Sequence, residues 1–165
     1  MSENDRDAIE GWTPPTPLER KSILDRTESI AIVGASSKPG RASNFVATYL
    51  LSSSADYRVY LVNPRETEIL GQPVYASLGD LPEVPDLVDV FRRSEDLPEI
   101  AREAIEVGAK TFWAQLGLWS PEAAQVAAAA GLDVVMDRCT KIEHARFAGG
   151  LHLAGFDTGV ISSRR

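Results

Sequence analysis

The sequence predicts a doubly wound α/β domain, and three observations carry that expectation. Short apolar runs recur at Ile30–Val33, Arg58–Val62, Leu87–Phe91, Thr111–Leu116 and Asp133–Met136, each too short for a helix. Helical patterns or helix-start signals follow most of them. The first run ends in a small-residue loop, Gly34-Ala35-Ser36-Ser37-Lys38-Pro39-Gly40. Runs that are apolar throughout, rather than alternating, suit strands buried on both faces of a parallel sheet. Right-handed crossovers between such strands lead us to expect one five-stranded parallel sheet in the order 3-2-1-4-5.

The elements follow in order. Residues 1–15 are polar and proline-rich and read as an N-terminal arm. Thr16 as cap and Pro17 at the first helical position start a short helix over Leu18–Arg26. After the glycine loop, Phe45, Val46, Tyr49 and Leu50 recur at helical spacing, up to a serine cluster at Ser52–Ser54. The second strand closes on Asn63-Pro64-Arg65. Residues 66–85 show little periodicity: Gly71-Gln72-Pro73 marks a turn, and Ser77–Leu81 suits a single helical turn. The third strand ends in Arg92-Arg93, after which Ser94 is placed to cap a helix bearing Leu97, Ile100, Ala101, Ala104 and Ile105 on one face, with Gly108 as its stop. Ser120-Pro121-Glu122 starts a helix that runs through an alanine tract to Gly131. The last strand leads to Asp137-Arg138-Cys139, and the final 25 residues form no clear element. The resulting division is an arm over 1–15, a domain over 16–146 and a C-terminal extension over 147–165, which either packs back or crosses to a second subunit.

Composition narrows the function. A chain of 165 residues with 44% hydrophobic content suits one domain with a real core. A net charge of −7 argues against nucleic acid as a partner. One cysteine excludes an internal disulfide and fits a reducing compartment. No apolar run approaches a membrane span of roughly 18 residues, and no signal peptide is legible, so the expected location is the cytoplasm.

In an open parallel sheet, ligands bind beyond the carboxyl ends of the strands. That places the candidates at Gly34–Arg41, Asn63–Arg65, Phe91–Arg93, Gln115–Gly117 and Asp137–Cys139. A strand, a small-residue turn and a helix N-terminus form a phosphate-binding unit, and Lys38 and Arg41 add charge. The loop matches neither G-x-x-x-x-G-K-[ST] nor G-x-G-x-x-G, so by itself it is as consistent with a plain turn as with a ligand cradle. The second strand end discriminates better. An NAD site has an acid there, whereas Arg65 suits a ribose phosphate, which leaves NADP or coenzyme A.

The blocks IAIVGASSKPGR, YLVNPR, VDVFRRSE, GAKTFWAQLG and VVMDRCTKIEH, in this order and spacing, resemble the small bacterial CoA-binding proteins. These are single Rossmann-like domains similar to the N-terminal domain of the succinyl-CoA synthetase α-subunit. The resemblance covers about residues 18–146. It implies that Gly34, Ala35, Ser36, Ser37, Lys38 and Arg41 hold the phosphates. Asn63, Pro64 and Arg65 would border the adenosine and its 3′-phosphate, and Val90, Phe91 and Arg92 would line the next part of the groove. The synthetase's phosphorylated histidine belongs to a later domain, so neither His144 nor His152 inherits that role.

The expected function is therefore non-catalytic binding of coenzyme A or an acyl-CoA, with no catalytic residue and no metal. A homodimer or a protein partner stays open. Two alternatives stand beside it. An NADP-dependent oxidoreductase would want a proton donor such as Tyr-x-x-x-Lys, and none of Tyr49, Tyr57, Tyr60 and Tyr75 has a lysine four residues on. A CoA-linked thiol-redox sensor would use Cys139, which reads equally as a small buried hydrophobe. Trp113 reads as core, Trp119 as a groove wall or interface, and Asp89 as an anomaly in a buried strand that suits a capping role.

Overall fold

The computed structural model describes residues 8–52 and 55–148. In chain order the elements are α1 (Pro17–Arg26), β1 (Ser29–Val33), α2 (Ala42–Leu50), β2 (Arg58–Val62), β3 (Glu68–Ile69), β4 (Gln72–Tyr75), β5 (Leu87–Val90), α3 (Leu97–Val107), β6 (Thr111–Ala114), α4 (Pro121–Ala129), β7 (Asp133–Val135) and α5 (Thr140–Ala148). Single 3-10 turns stand at Leu78–Asp80 and Ser94–Asp96. The sheet has seven strands in the order β3-β4-β2-β1-β5-β6-β7. All pairs are parallel except the β3–β4 edge hairpin.

The α/β class and the mostly parallel open sheet agree with the expectation, whereas the strand count and order do not. The run Leu87–Val90 was expected beyond the second strand, but it pairs with β1 on the opposite side. The place next to β2 belongs to β4, whose Val74 and Tyr75 stand opposite Leu61 and Val62. The segment read only as a turn holds two strands because both are short edge strands, one containing Pro73. Leu70 and Gly71 join them, both with positive φ (53° and 73°), the geometry of a two-residue type I′ hairpin.

Two layers cover the sheet. On one face α3 and α4 bury Leu97, Ala101, Ala104, Ala123 and Ala127 against Ala31, Val88, Val90 and Phe112. On the other, Ile23 and Leu24 of α1 and Val46, Ala47 and Leu50 of α2 pack on Ile30, Ile32, Leu61 and Trp113. Trp113 is core, as expected, and its indole N–H donates to the Arg138 carbonyl at 2.8 Å. Cap chemistry sets two helix starts: Thr16 and Glu19 form a capping box, and the Ser120 hydroxyl accepts from the Ala123 N–H. Ser94 caps nothing. Its Oγ accepts from the Trp119 N–H, and a 3-10 turn leads into α3 instead.

Two described segments near the ends differ from their reading in the sequence. Residues 8–15 are no free arm: Ile9 is buried, Trp12 packs edge-on to Trp119, and its indole donates to the Val134 carbonyl at 3.0 Å. Trp119 is thus a wall for this segment rather than for a groove. The start of the final 25 residues, read as forming no clear element, belongs to α5. Its apolar periodicity is weak because polar contacts dock it. Arg20 pairs with Glu143, both almost fully buried, and the Tyr49 hydroxyl meets His144 Nδ1 at 2.7 Å. The first seven residues and the extension from 149 onward lie outside the described residues.

Candidate functional site

The chain steps from β1 to β2 and β4 on one side, and from β5 to β6 and β7 on the other. The reversal point is therefore between the carboxyl ends of β1 and β5. A groove of about 1150 Å³ opens there. Gly34 makes the gap. Its φ is +89°, and a Cβ on it would stand 3.0 Å from both the Phe91 carbonyl oxygen and Arg92 Cδ. Glycine satisfies both the left-handed conformation and the close approach.

Neighbouring side chains hold the loop open. Gly34 and Ala35 donate their N–H groups to the Val62 carbonyl at 3.0 and 3.2 Å. Asn63 Nδ2 donates to the Ala35 carbonyl at 2.7 Å, and Asn63 Oδ1 accepts from the Arg65 N–H at 2.8 Å. Asn44 Nδ2 donates to the Ser36 carbonyl, and the Ser37 N–H donates to Glu66 Oε2, both at 3.0 Å. Asn63 thus ties the glycine loop to its own turn, with one end of its carboxamide on Ala35 and the other on Arg65.

Charge collects at this end of the groove. No side chain caps α2, in contrast to α1 and α4; the N–H groups of Arg41, Asn44 and Phe45 go to backbone carbonyls, and those of Ala42 and Ser43 stay available. Lys38, Arg41 and Arg65 line the groove, and no hydrogen bond or ion pair holds any of these three side chains among the described residues. Arg92 and Arg93 line it too, partly neutralised by Asp96 at 3.5 Å and Glu95 at 3.4 Å respectively. In a chain of net charge −7, this is a local reversal of sign.

Toward β6 and β7 the lining changes to Gln115, Leu116, Leu118, Cys139 and Ile142, with Phe45 of α2 opposite and Lys141 as the one cation there among the described residues. Beneath this end lies a buried polar chain. Thr140 donates its N–H to Gln115 Oε1 at 3.0 Å. Its hydroxyl lies 2.7 Å from Asp89 Oδ2 and 3.2 Å from Gln115 Oε1. Asp89 is fully buried, and burial pushes its carboxyl up to about 8, against the lowering influence of Thr140. At neutral pH the acid is mostly protonated. The Thr140 hydroxyl donates to Asp89 Oδ2, with Gln115 Oε1 as a longer second acceptor. Asp89 therefore ties the start of α5 to the sheet through the Thr140 hydroxyl, and it is Gln115, not Asp89, that accepts from a helix backbone N–H.

Most of the expected site residues converge here. Gly34, Ala35, Ser36, Lys38, Arg41, Asn63, Pro64, Arg65, Phe91 and Arg92 all line the groove. Ser37 and Val90 do not: Ser37 is exposed and held through its backbone by Glu66, and Val90 is buried against α3 and α4. Strand alternation sends Val90 to the opposite face from Phe91. Glu66, Phe45, Lys141 and Ile142 were not anticipated. Phe45, read with Val46, Tyr49 and Leu50 as part of one helical apolar spacing, is 57% exposed. Lys141 and Ile142 lie on α5, the helix whose pattern was too weak to read. Within the described residues no group of three or more metal-ligating side chains occurs, and no helix is long and apolar enough to cross a membrane.

A switch-point groove with an uncapped helix N-terminus and three unpaired cations defines a Rossmann-like domain suited to an anionic nucleotide. Residues 28–145 match the family described as CoA binding domain, and the chain belongs to that family. It is 43% identical over 131 residues to the uncharacterized protein YneT of Bacillus subtilis, a match spanning 79% of this chain and 96% of YneT. A solved structure described as a hypothetical protein from Pyrococcus horikoshii superposes with a TM-score of 0.78 at 40% identity, over 86% of this chain and all of that one. An acetate–CoA ligase (ADP-forming) of Archaeoglobus fulgidus is 35% identical over 74 residues, which is 45% of this chain and 10% of the ligase. These ligase relatives agree with the resemblance to the synthetase α-subunit.

Proposed function

We propose that this protein binds coenzyme A or an acyl-CoA in the switch-point groove without turning it over, in the cytoplasm. The observation that carries the reading is the convergence of unpaired Lys38, Arg41 and Arg65 on a groove that turns apolar at its far end. Coenzyme A has the same polarity, with its phosphates at one end and a thiol-bearing arm at the other. The nucleotide lies along β2, β1 and β5, and the arm runs toward β6 and α5. Cys139 is half-buried at the edge of the core and serves as groove wall. The test is mass spectrometry of the small molecule that survives native purification. Coenzyme A or an acyl-CoA is expected, and recovery of a nicotinamide dinucleotide would overturn the reading.

Arg65 supplies a second test, because it stands where the 3′-phosphate is expected. Arg65→Ala removes a charge-assisted contact and should weaken coenzyme A by about tenfold to a hundredfold. Dephospho-CoA lacks that phosphate and should be nearly indifferent to the substitution. Calorimetric titration of both ligands against both proteins at fixed salt isolates the pair. Equal losses for the two ligands would remove Arg65 from the phosphate site.

A further inference from the structure

The carboxamide of Gln115 has one half without a partner. Its oxygen is fixed by chemistry, since the Thr140 N–H can only donate and the atom 3.0 Å from it must accept. The Thr140 hydroxyl approaches the same oxygen. Nε2 makes no hydrogen bond among the described residues, although Gln115 is only 5% exposed and lines the groove. Solvent in the groove still reaches this N–H₂, so it is a donor open to a ligand there. The same groove is lined by exposed apolar side chains from separate parts of the chain: Phe45 at 57%, Leu116 at 62% and Ile142 at 51%. They account for half of the exposed large hydrophobics among the described residues, and all three line this groove. Such a cluster on a soluble surface marks a place that something apolar covers.

We infer that this end of the groove receives the acyl group of a thioester, with Gln115 Nε2 donating to the thioester carbonyl and Phe45, Leu116 and Ile142 enclosing an uncharged aliphatic chain. The inference rests on the coenzyme A reading and deepens it: the ligand is an acyl-CoA in preference to free coenzyme A. Lys141 is the counter-candidate, since an ammonium could instead select an acyl group ending in a carboxylate. Its Nζ lies 5.9 Å from the Tyr49 ring centroid, a cation–π placement that occupies it.

The experiment titrates the protein with coenzyme A, hexanoyl-CoA, the thioether S-hexyl-CoA and succinyl-CoA. Hexanoyl-CoA should bind about tenfold to a hundredfold tighter than coenzyme A, from methylene burial and the carbonyl contact together. S-hexyl-CoA keeps the chain and loses the carbonyl, and should fall between them. Gln115→Met should bring hexanoyl-CoA down to the thioether's level. Ile142→Ser, at an exposed position that does not threaten folding, should shrink the preference for hexanoyl-CoA over coenzyme A several-fold. Equal binding of coenzyme A and hexanoyl-CoA, or a preference for succinyl-CoA, overturns the inference while leaving the coenzyme A reading intact. Failure of all four ligands to bind overturns that reading and the inference with it.

Discussion

Gly34→Ala is expected to lower the melting temperature by on the order of 10 °C and to weaken coenzyme A at least tenfold. The left-handed conformation at φ +89° costs an alanine about 1–2 kcal/mol. The added Cβ meets a backbone oxygen, that of Phe91, at 3.0 Å, so the end of β5 must shift rather than a flexible side chain. Overpacking of this kind costs about 1–3 kcal/mol. For a domain of this size, each kcal/mol is worth about 2–4 °C. The shift also falls where β1 and β5 diverge, at the groove proposed to hold coenzyme A. Gly40→Ala in the same loop is the control, because nothing stands within 4 Å of a Cβ there and φ is not positive. Its melting temperature should match the parent's. Equal melting temperatures for Gly34→Ala and the parent would show that the close approach carries no energy.

Asp89→Asn should stabilise the protein at alkaline pH and flatten its pH dependence. The folded carboxyl titrates at about 8, against 3.8 as its ordinary value, because it is fully buried. Between these values the folded state holds a proton that the unfolded state has released. The stability tied to that proton is complete below the ordinary value and is lost as pH rises toward 8. The slope is up to about 1.4 kcal/mol per pH unit, so pH 5 to 8 spans up to about 4 kcal/mol. Asparagine keeps an oxygen that accepts from the Thr140 hydroxyl and cannot ionise. His144 works in the opposite sense. Burial lowers its pKa and the Tyr49 hydroxyl donates to the neutral ring, so its contribution is lost as pH falls below about 6.5. Thermal melts of parent and variant at pH 5, 7 and 8.5 separate the two. The gap should widen toward pH 8.5, and a constant gap would place the Asp89 titration outside this range.

The alternation of strand and helix, the two capped helix starts, the glycine turn and most of the cationic lining were legible in the chain because each rests on local chemistry. A proline after a serine, a buried apolar run and an arginine just past a strand end mean much the same in any context. What the chain alone did not decide depends on partners distant in sequence. Edge strands β3 and β4 are two and four residues long, and pairing with β2, not propensity, makes them strands. That pairing moved the Leu87–Val90 run across β1 and brought Arg92 against Gly34. Helix α5 has little apolar stripe of its own. Arg20, Tyr49 and Asp89, on three other elements, dock it. The apolar end of the groove exists only because that docking sets Ile142 and Cys139 beside Gln115 and opposite Phe45. Sequence periodicity reports which residues seek burial. It cannot report that three exposed hydrophobics from separate parts of the chain line one groove, since that depends on how the layers close over the sheet.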